Sequence, residues 1–172
     1  MTLLVLISSN TQALEVKGGM NLHVFRNSAE PGYYARIGDF TGMRSDIYKA
    51  KSDLYYYENS DKIYLDKSVK SLLISFRLLD LNKFYASLAG GPYFIKYEDP
   101  QTGVTDKVNP FGFKGECGYK INLKDNLKLT FNVGLDLVGQ VSQKDLNIAD
   151  EDLIGNDYSG GFYYGTGISI LF

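Results

Sequence analysis

The sequence predicts an all-β fold: an eight-stranded antiparallel up-and-down transmembrane β-barrel. Three observations carry that expectation. The first is the run Leu127 to Val138, in which Leu127, Leu129, Phe131, Val133, Leu135 and Leu137 alternate with Lys128, Thr130, Asn132, Gly134 and Asp136. A strict period of two sets one face against apolar and the other against polar surroundings. The run matches the ~9–11 residues with which a tilted strand crosses a bilayer. The second is GFYYGTGISILF at 161–172, with Phe162, Tyr164, Thr166, Ile168, Ile170 and Phe172 on one face and mostly small residues on the other. The third is the spacing of connections. Short turns at Asp80–Lys83 and Lys124–Asn126 alternate with longer polar stretches at 59–68, 98–109 and 139–159. Short turns on one side and long loops on the other are the asymmetry of spanning barrels.

Composition narrows the alternatives. The chain of 172 residues is the length of one domain. It holds 14 Tyr and 10 Phe, and its net charge of -2 implies no nucleic-acid partner. No run approaches the ~20 apolar residues of a spanning helix. A membrane protein of this composition must be a barrel, because only helices and closed barrels satisfy their backbone in lipid.

The segments follow in order. Residues 1–13 carry a short apolar core, Leu3 to Ile7, and Thr11-Gln12-Ala13 suits a signal peptidase, but a positive start is missing. They are expected to be a truncated secretory signal, with the barrel domain at 14–172. In the first strand, Leu14–Phe25, Val16, Gly18, Met20, Leu22 and Val24 alternate with Glu15, Lys17, Gly19, Asn21 and His23. Weaker strands follow at Tyr33–Phe40 and Ile47–Glu58; in the latter, Tyr48, Ala50, Ser52, Leu54 and Tyr56 are expected to face outward. Leu72, Ile74, Phe76 and Leu78 form the outer face of the next strand. FYASLAGGPYFIKY, 84–97, carries a bend at Gly90-Gly91-Pro92. Phe111 to Leu123 alternates cleanly and turns into 127–138 at Lys124-Asp125-Asn126, where Asp and Asn favour a turn. The first strand then pairs with Gly161–Phe172 and closes the sheet.

These assignments place charges of both signs inside: Lys17, Arg36, Lys49, Lys51, Arg77, Lys114, Lys120 and Lys128 against Glu15, Asp53, Glu116 and Asp136. An eight-stranded barrel is just wide enough for its side chains to fill, so these charges are expected to pair across the lumen and plug it. Tyr85, Tyr119, Phe162 and Phe172 are expected in interfacial girdles.

Other chemistry is thinly represented. His23 is the only histidine; alternation puts it inside, with no serine tied to it and no partners for a metal. Cys117 is alone and reads as a small packed residue. Asp150, Asp152 and Gly155 share the opening spacing of a calcium loop, but Ile154 and Gly161 stand where oxygen ligands are needed. No cofactor, metal or enzymatic activity is expected.

The AGGPYF strand, the GFKGECGYKINLKDNLKLTFNVGLDLV hairpin and the GGFYYGTGISILF ending together resemble the small eight-stranded outer-membrane barrel family, of the outer-membrane protein A, W and X kind. The resemblance covers Leu14 to Phe172. It implies a bacterial outer-membrane location, with outer-membrane lipid and lipopolysaccharide as partners. It also implies handling by the barrel-assembly machinery, which reads a terminal signal here formed by Tyr164, Ile168, Ile170 and Phe172. The expected protein is a monomer with a structural or surface-interaction role. The alternatives are a narrow porin-like channel for small or hydrophobic solutes and a soluble lipocalin-like ligand-binding barrel.

Overall fold

A computed structural model describes residues 14–25, 29–146, 148, 153–158 and 160–172. The expected signal at 1–13 lies outside the described residues. The strands are β1 (Glu15–Val24), β2 (Ala29–Ile37), β3 (Thr41–Glu58), β4 (Asp61–Ser71), β5 (Leu73–Asp80), β6 (Phe84–Glu98), β7 (Thr105–Val108), β8 (Phe111–Lys124), β9 (Leu127–Val138), β10 (Val141–Ser142), β11 (Asn156–Asp157) and β12 (Gly161–Leu171).

Strands β4 and β5 run end to end, broken only at Leu72, and both lie between β3 and β6. Taken as one stave, they make an eight-membered antiparallel barrel with β1, β2, β3, β6, β8, β9 and β12. Each stave pairs with the next in sequence, and β1 pairs with β12 to close the cylinder, from Glu15 opposite Leu171 to Val24 opposite Phe162. Along the span that all the staves share, closure leaves no free edge, as lipid requires. Strand β7 extends the loop end of β6. Among the described residues, no helix is long and apolar enough to cross a membrane.

The turns at one end are short, at Gly38–Phe40, Leu81–Lys83 and Asp125–Asn126. Gly38 has φ of 115°, a left-handed conformation open mainly to glycine. The segment 40–46, left as a connection by the sequence reading, is strand from Thr41 onward.

The loop end departs further from expectation. Residues 59–68 are not a long loop: Glu58 pairs with Asp61 across a two-residue hairpin. Asn59 (φ 48°) and Ser60 (φ 74°) both take the left-handed values of a type I′ turn. Strands β3 and β4 therefore project beyond the rest of the sheet.

The faces of these projecting strands correct the sequence reading. Tyr48, Ala50, Ser52, Leu54 and Tyr56 point inward and are buried, while Lys49 and Lys51 point out and are exposed. Asp53 shares their outward parity, half-buried beneath the last loop. Parity does not change along β3, since Met43 and Ile47 face out while Arg44 and Asp46 face in. What changes is the surroundings. Toward the turn end, apolar residues face out and charges face in; toward the loop end, the order reverses. The switch occurs at one level on three strands, between Ile47 and Lys49, Leu72 and Lys70, and Phe94 and Lys96, and Ile47, Lys70 and Phe94 stand side by side in register. Below that level the outside is oil; above it the outside is water, and the apolar set turns to the interior.

The interior of the loop end is a core of its own, built on Tyr48, Leu54, Leu65, Val69, Ile95 and Tyr97 and capped by Val141, Leu146, Ile148 and Leu153 from the last loop. Each such burial contributes about 1.5–3 kcal/mol. The outer belt nearer the turns is lined by exposed apolar side chains, among them Met20, Ile74, Phe76, Leu88, Phe131 and Ile168. Cys117 belongs to this belt and is exposed rather than packed, with Ala86 and Val133 as its cross-strand neighbours.

This arrangement predicts a labelling pattern. In lipid vesicles, a water-soluble maleimide should leave Cys117 unmodified until the protein is denatured, whereas in a Cys117→Ser background Lys49→Cys should react at once. Equal reactivity would mean that the level of the switch is not a lipid boundary.

Candidate functional site

The site is the filled lumen. Its polar side chains come from alternate positions of every stave, because period-two alternation leaves every second residue no outlet but the interior.

Nearest the turns lies a cluster around Glu15 of β1. Arg77 of β5 bonds to it directly, Ser169 of β12 donates its hydroxyl, and Arg36 of β2 approaches at 3.6 Å. Arg36 also donates to Ser75 Oγ at 3.0 Å and to the carbonyl of Gly38 at 2.6 Å. Arg77 reaches Asp39 at 3.0 Å and Asp80 at 2.6 Å, and Lys120 pairs with Asp80.

The middle layer is a continuous chain of alternating charge. Lys17 meets Glu116 at 3.3 Å, Glu116 meets Arg44 at 2.6 Å, and Arg44 meets Asp46 at 3.0 Å. Lys114 then bridges Asp46 and Asp136, each at 3.0 Å. Neutral donors complete the shells. Tyr85, Tyr163 and Asn132 donate to Glu116 at 2.8, 3.1 and 2.7 Å, and Tyr93 donates to Asp136 at 3.1 Å. Tyr85, expected in a girdle, is inside for this reason.

His23 lies above this layer, stacked on Tyr48 with centroids 4.0 Å apart and with Nδ1 at 3.8 Å from Asp136. Among the described residues, no group of three or more His, Cys, Asp or Glu side chains could hold a metal ion.

The tyrosines are seated in hollows that glycine creates. Tyr34 pairs with Gly19, Tyr85 with Gly118 and Tyr163 with Gly134 on adjacent strands. A Cβ added at Gly118 would lie 2.3 Å from the Tyr85 ring, and one at Gly134 would lie 2.3 Å from the Tyr163 hydroxyl. On the small-residue face of β12, Gly167 likewise makes room for the Tyr34 hydroxyl.

At the loop end, Asp157 of β11 pins the last loop into the barrel mouth. It is buried and meets Lys67 at 2.9 Å, Tyr97 OH at 2.6 Å and the Asp53 N–H at 3.0 Å. Burial pushes its carboxyl up; the Lys67 ammonium and the hydrogen bonds from Tyr97 and Asp53 outweigh that and hold it below the ordinary carboxylate range. Asp150 and Asp152 of the calcium-loop spacing lie outside the described residues.

Of the residues predicted to line the lumen, the structure brings together Glu15, Lys17, Arg36, Arg77, Lys114, Glu116, Lys120 and Asp136. Lys128 has inward parity but sits half-exposed near the turns, without an ion pair among the described residues. Lys49, Lys51 and Asp53 belong to the outer face, Lys51 pairing there with Asp66 at 2.5 Å. Sequence reasoning missed Arg44, Asp46, Lys67 and Asp157. Arg44 and Asp46 share one parity two residues apart, a signal hidden by reading 40–46 as a connection.

A closed eight-stranded barrel with an apolar belt, a charge-filled lumen and a water-facing crown defines a class: the small transmembrane β-barrels. No known family profile matches the chain, and no curated protein is similar to it in sequence. Similarity lies in solved structures. A major outer membrane protein from Thermus thermophilus superposes with a TM-score of 0.52 at 12% identity, covering 95% of this chain and 100% of that one. Neisserial surface protein A gives 0.48 at 10% identity over 93% and 96% of the two chains. The N-terminal β-barrel domain of Pseudomonas aeruginosa OprF gives 0.49 at 9% identity over 94% and 98%. At 12% identity the likeness to the Thermus protein is one of fold alone.

Two outcomes are expected. Lys114→Met should lower stability by about 3–5 kcal/mol, because the buried Asp136 would lose its ammonium partner while facing Asp46, which keeps Arg44; urea unfolding in vesicles measures it, and a loss below about 1 kcal/mol would mean the chain is not cooperative. Because the Asp157 carboxyl is depressed in the fold, its stabilisation is complete above the ordinary carboxylate value and fades as pH falls through the folded one. Proteolysis of the last loop should therefore stay flat from neutral pH down to the carboxylate range and rise below it, while Asp157→Asn should be cut faster already at neutral pH.

Proposed function

We propose that this chain is an integral outer-membrane barrel, monomeric, with a structural or surface-interaction role. The observation that carries the reading is the coincidence of two features in one cylinder. An apolar belt rings the outside, and the lumen behind it is filled by paired charges and seated tyrosines. The belt holds the protein in lipid; the filled lumen leaves no wide path through it. What remains available is the crown, formed by the projecting β3–β4 hairpin, the β6–β7 extension and the pinned last loop.

The fold match to a protein described as a major outer membrane protein supports the location. The outward row Tyr164, Ile168, Ile170 and Phe172, exposed along β12, suits recognition by the barrel-assembly machinery. Residues 1–13 would serve export. Outer-membrane lipid and lipopolysaccharide are the expected surroundings. His23 is read as a packed lumen residue, buried among the rings of Phe25, Tyr48 and Tyr163.

Two measurements test the reading. The folded protein should require detergent for solubility and shift in gel mobility on boiling. Reconstituted in planar bilayers at neutral pH, it should show no stepwise conductance. Regular unitary steps from the wild-type protein would favour the narrow-channel alternative, and detergent-free solubility would favour the soluble ligand-binding one.

A further inference from the structure

The outer face of the barrel is not uniform at the level where its polarity switches. On the flank formed by β8, β9, β12 and β1, outward residues stay apolar to the strand tips, as at Phe111, Leu137, Phe162 and Val24. On the flank formed by β3, β4, β6 and β7, a row of lysines begins directly above the belt. The register sets Lys49 beside Ser68, Ser68 beside Lys96, and Lys96 beside Lys107. Lys70 stands one step nearer the belt, between Ile47 and Phe94. Strands lie ~4.8 Å apart, so the row spans about 14 Å across the sheet.

Two nearby carboxylates are engaged, and Glu30 shares a neighbouring hollow with Lys49. Asp66, in the next row outward, pairs with Lys51, and Glu98 pairs with Lys96 at 2.9 Å. Lys49, Lys70 and Lys107 have no ion pair among the described residues. With Lys96, they line an open groove of about 650 Å³ whose floor includes Ile47 and Phe94. Cations gathered around a groove that opens onto an oil-facing belt are complementary to an amphiphile with anionic charge at the level of its headgroup. Ammonium groups suit phosphate oxygens, each acting as a compact point charge.

We propose that this lysine platform binds a membrane lipid bearing more than one phosphate on its headgroup, with its acyl chains lying along Ile47, Phe94 and Leu72. The site rests on the membrane reading above. It gives the barrel a preferred lipid on one flank only.

Native mass spectrometry from a neutral detergent tests it, with bisphosphorylated lipid A, phosphatidylcholine and inorganic pyrophosphate each added in turn. The wild-type protein should retain lipid A far better than phosphatidylcholine, and added salt should weaken that retention. The triple variant Lys49→Gln, Lys70→Gln, Lys107→Gln touches no interior group and should keep its heat-dependent gel shift. It should lose on the order of 100-fold in lipid A affinity. Equal retention of the two lipids by the wild type, or undiminished lipid A binding by the folded variant, would overturn the site. Pyrophosphate binding as tightly as lipid A would mean that free phosphate is the ligand and overturn the lipid. These failures differ from that of the membrane reading, which would show as a protein soluble without detergent.

Discussion

The carboxylate of Glu116 accepts hydrogen bonds from Lys17, Arg44, Tyr85, Asn132 and Tyr163. These donors stand on β1, β3, β6, β9 and β12, and Glu116 itself is on β8. A single buried anion thus ties together most of the staves. An isolated charge in such a place would be prohibitively costly. It is tolerated because its donors are held at the right height by the register of the strands, and the register is in turn favoured by the charges. A slip of one residue would turn every lumen charge into lipid and every belt residue into the lumen. The alternating chain from Lys17 to Asp136 therefore works as a register device as much as a filling.

The tyrosine–glycine seats solve a second problem of the same cylinder. Eight staves enclose a narrow space, and a lumen lined only with long charged chains would pack poorly. Glycine at Gly19, Gly118 and Gly134 lowers the wall locally, and Tyr34, Tyr85 and Tyr163 lie flat there. The Tyr85 and Tyr163 hydroxyls reach Glu116. Packing and charge compensation meet in the same side chains. Toward the loops the lumen needs no such device, since its walls there carry Leu54, Leu65, Val69 and Ile95 and pack as an ordinary core.

Much of this was legible in the sequence wherever the surroundings of a face are constant. Strands β8, β9 and β12 lie within or close to the belt along most of their length, so alternation alone assigned Lys114, Glu116 and Asp136 to the lumen. Strand β3 was misread because it crosses from oil into water. Its apolar parity, Tyr48, Leu54 and Tyr56, belongs inside above the boundary, and hydropathy cannot tell an apolar face turned to lipid from one turned to a core. The polar stretch 59–68 looked like loop for the same reason: a strand standing in water is polar outside. Tyr85 could not be placed from the sequence, because its seat is a glycine on another strand. Arg44 and Asp46 were lost with the strand start, and Lys67 and Asp157 meet only through the folding back of the last loop.

The seam between β1 and β12 has a consequence for how the molecule is made. It joins Glu15 to Leu171 and Val24 to Phe162, the most distant pairing in sequence that the barrel contains. Every other stave can pair with its neighbour as soon as both exist, but this one waits for β12, and contacts of such separation form slowly. Until it forms, β1 and β12 are two open edges of one curved sheet, each with a row of unpaired amides. The seam also carries the Ser169–Glu15 bond, so the cluster nearest the turns is incomplete until then. Assembly is therefore all-or-none at its last step: an unclosed barrel lacks both its final ladder and part of its plug, and closing the one completes the other.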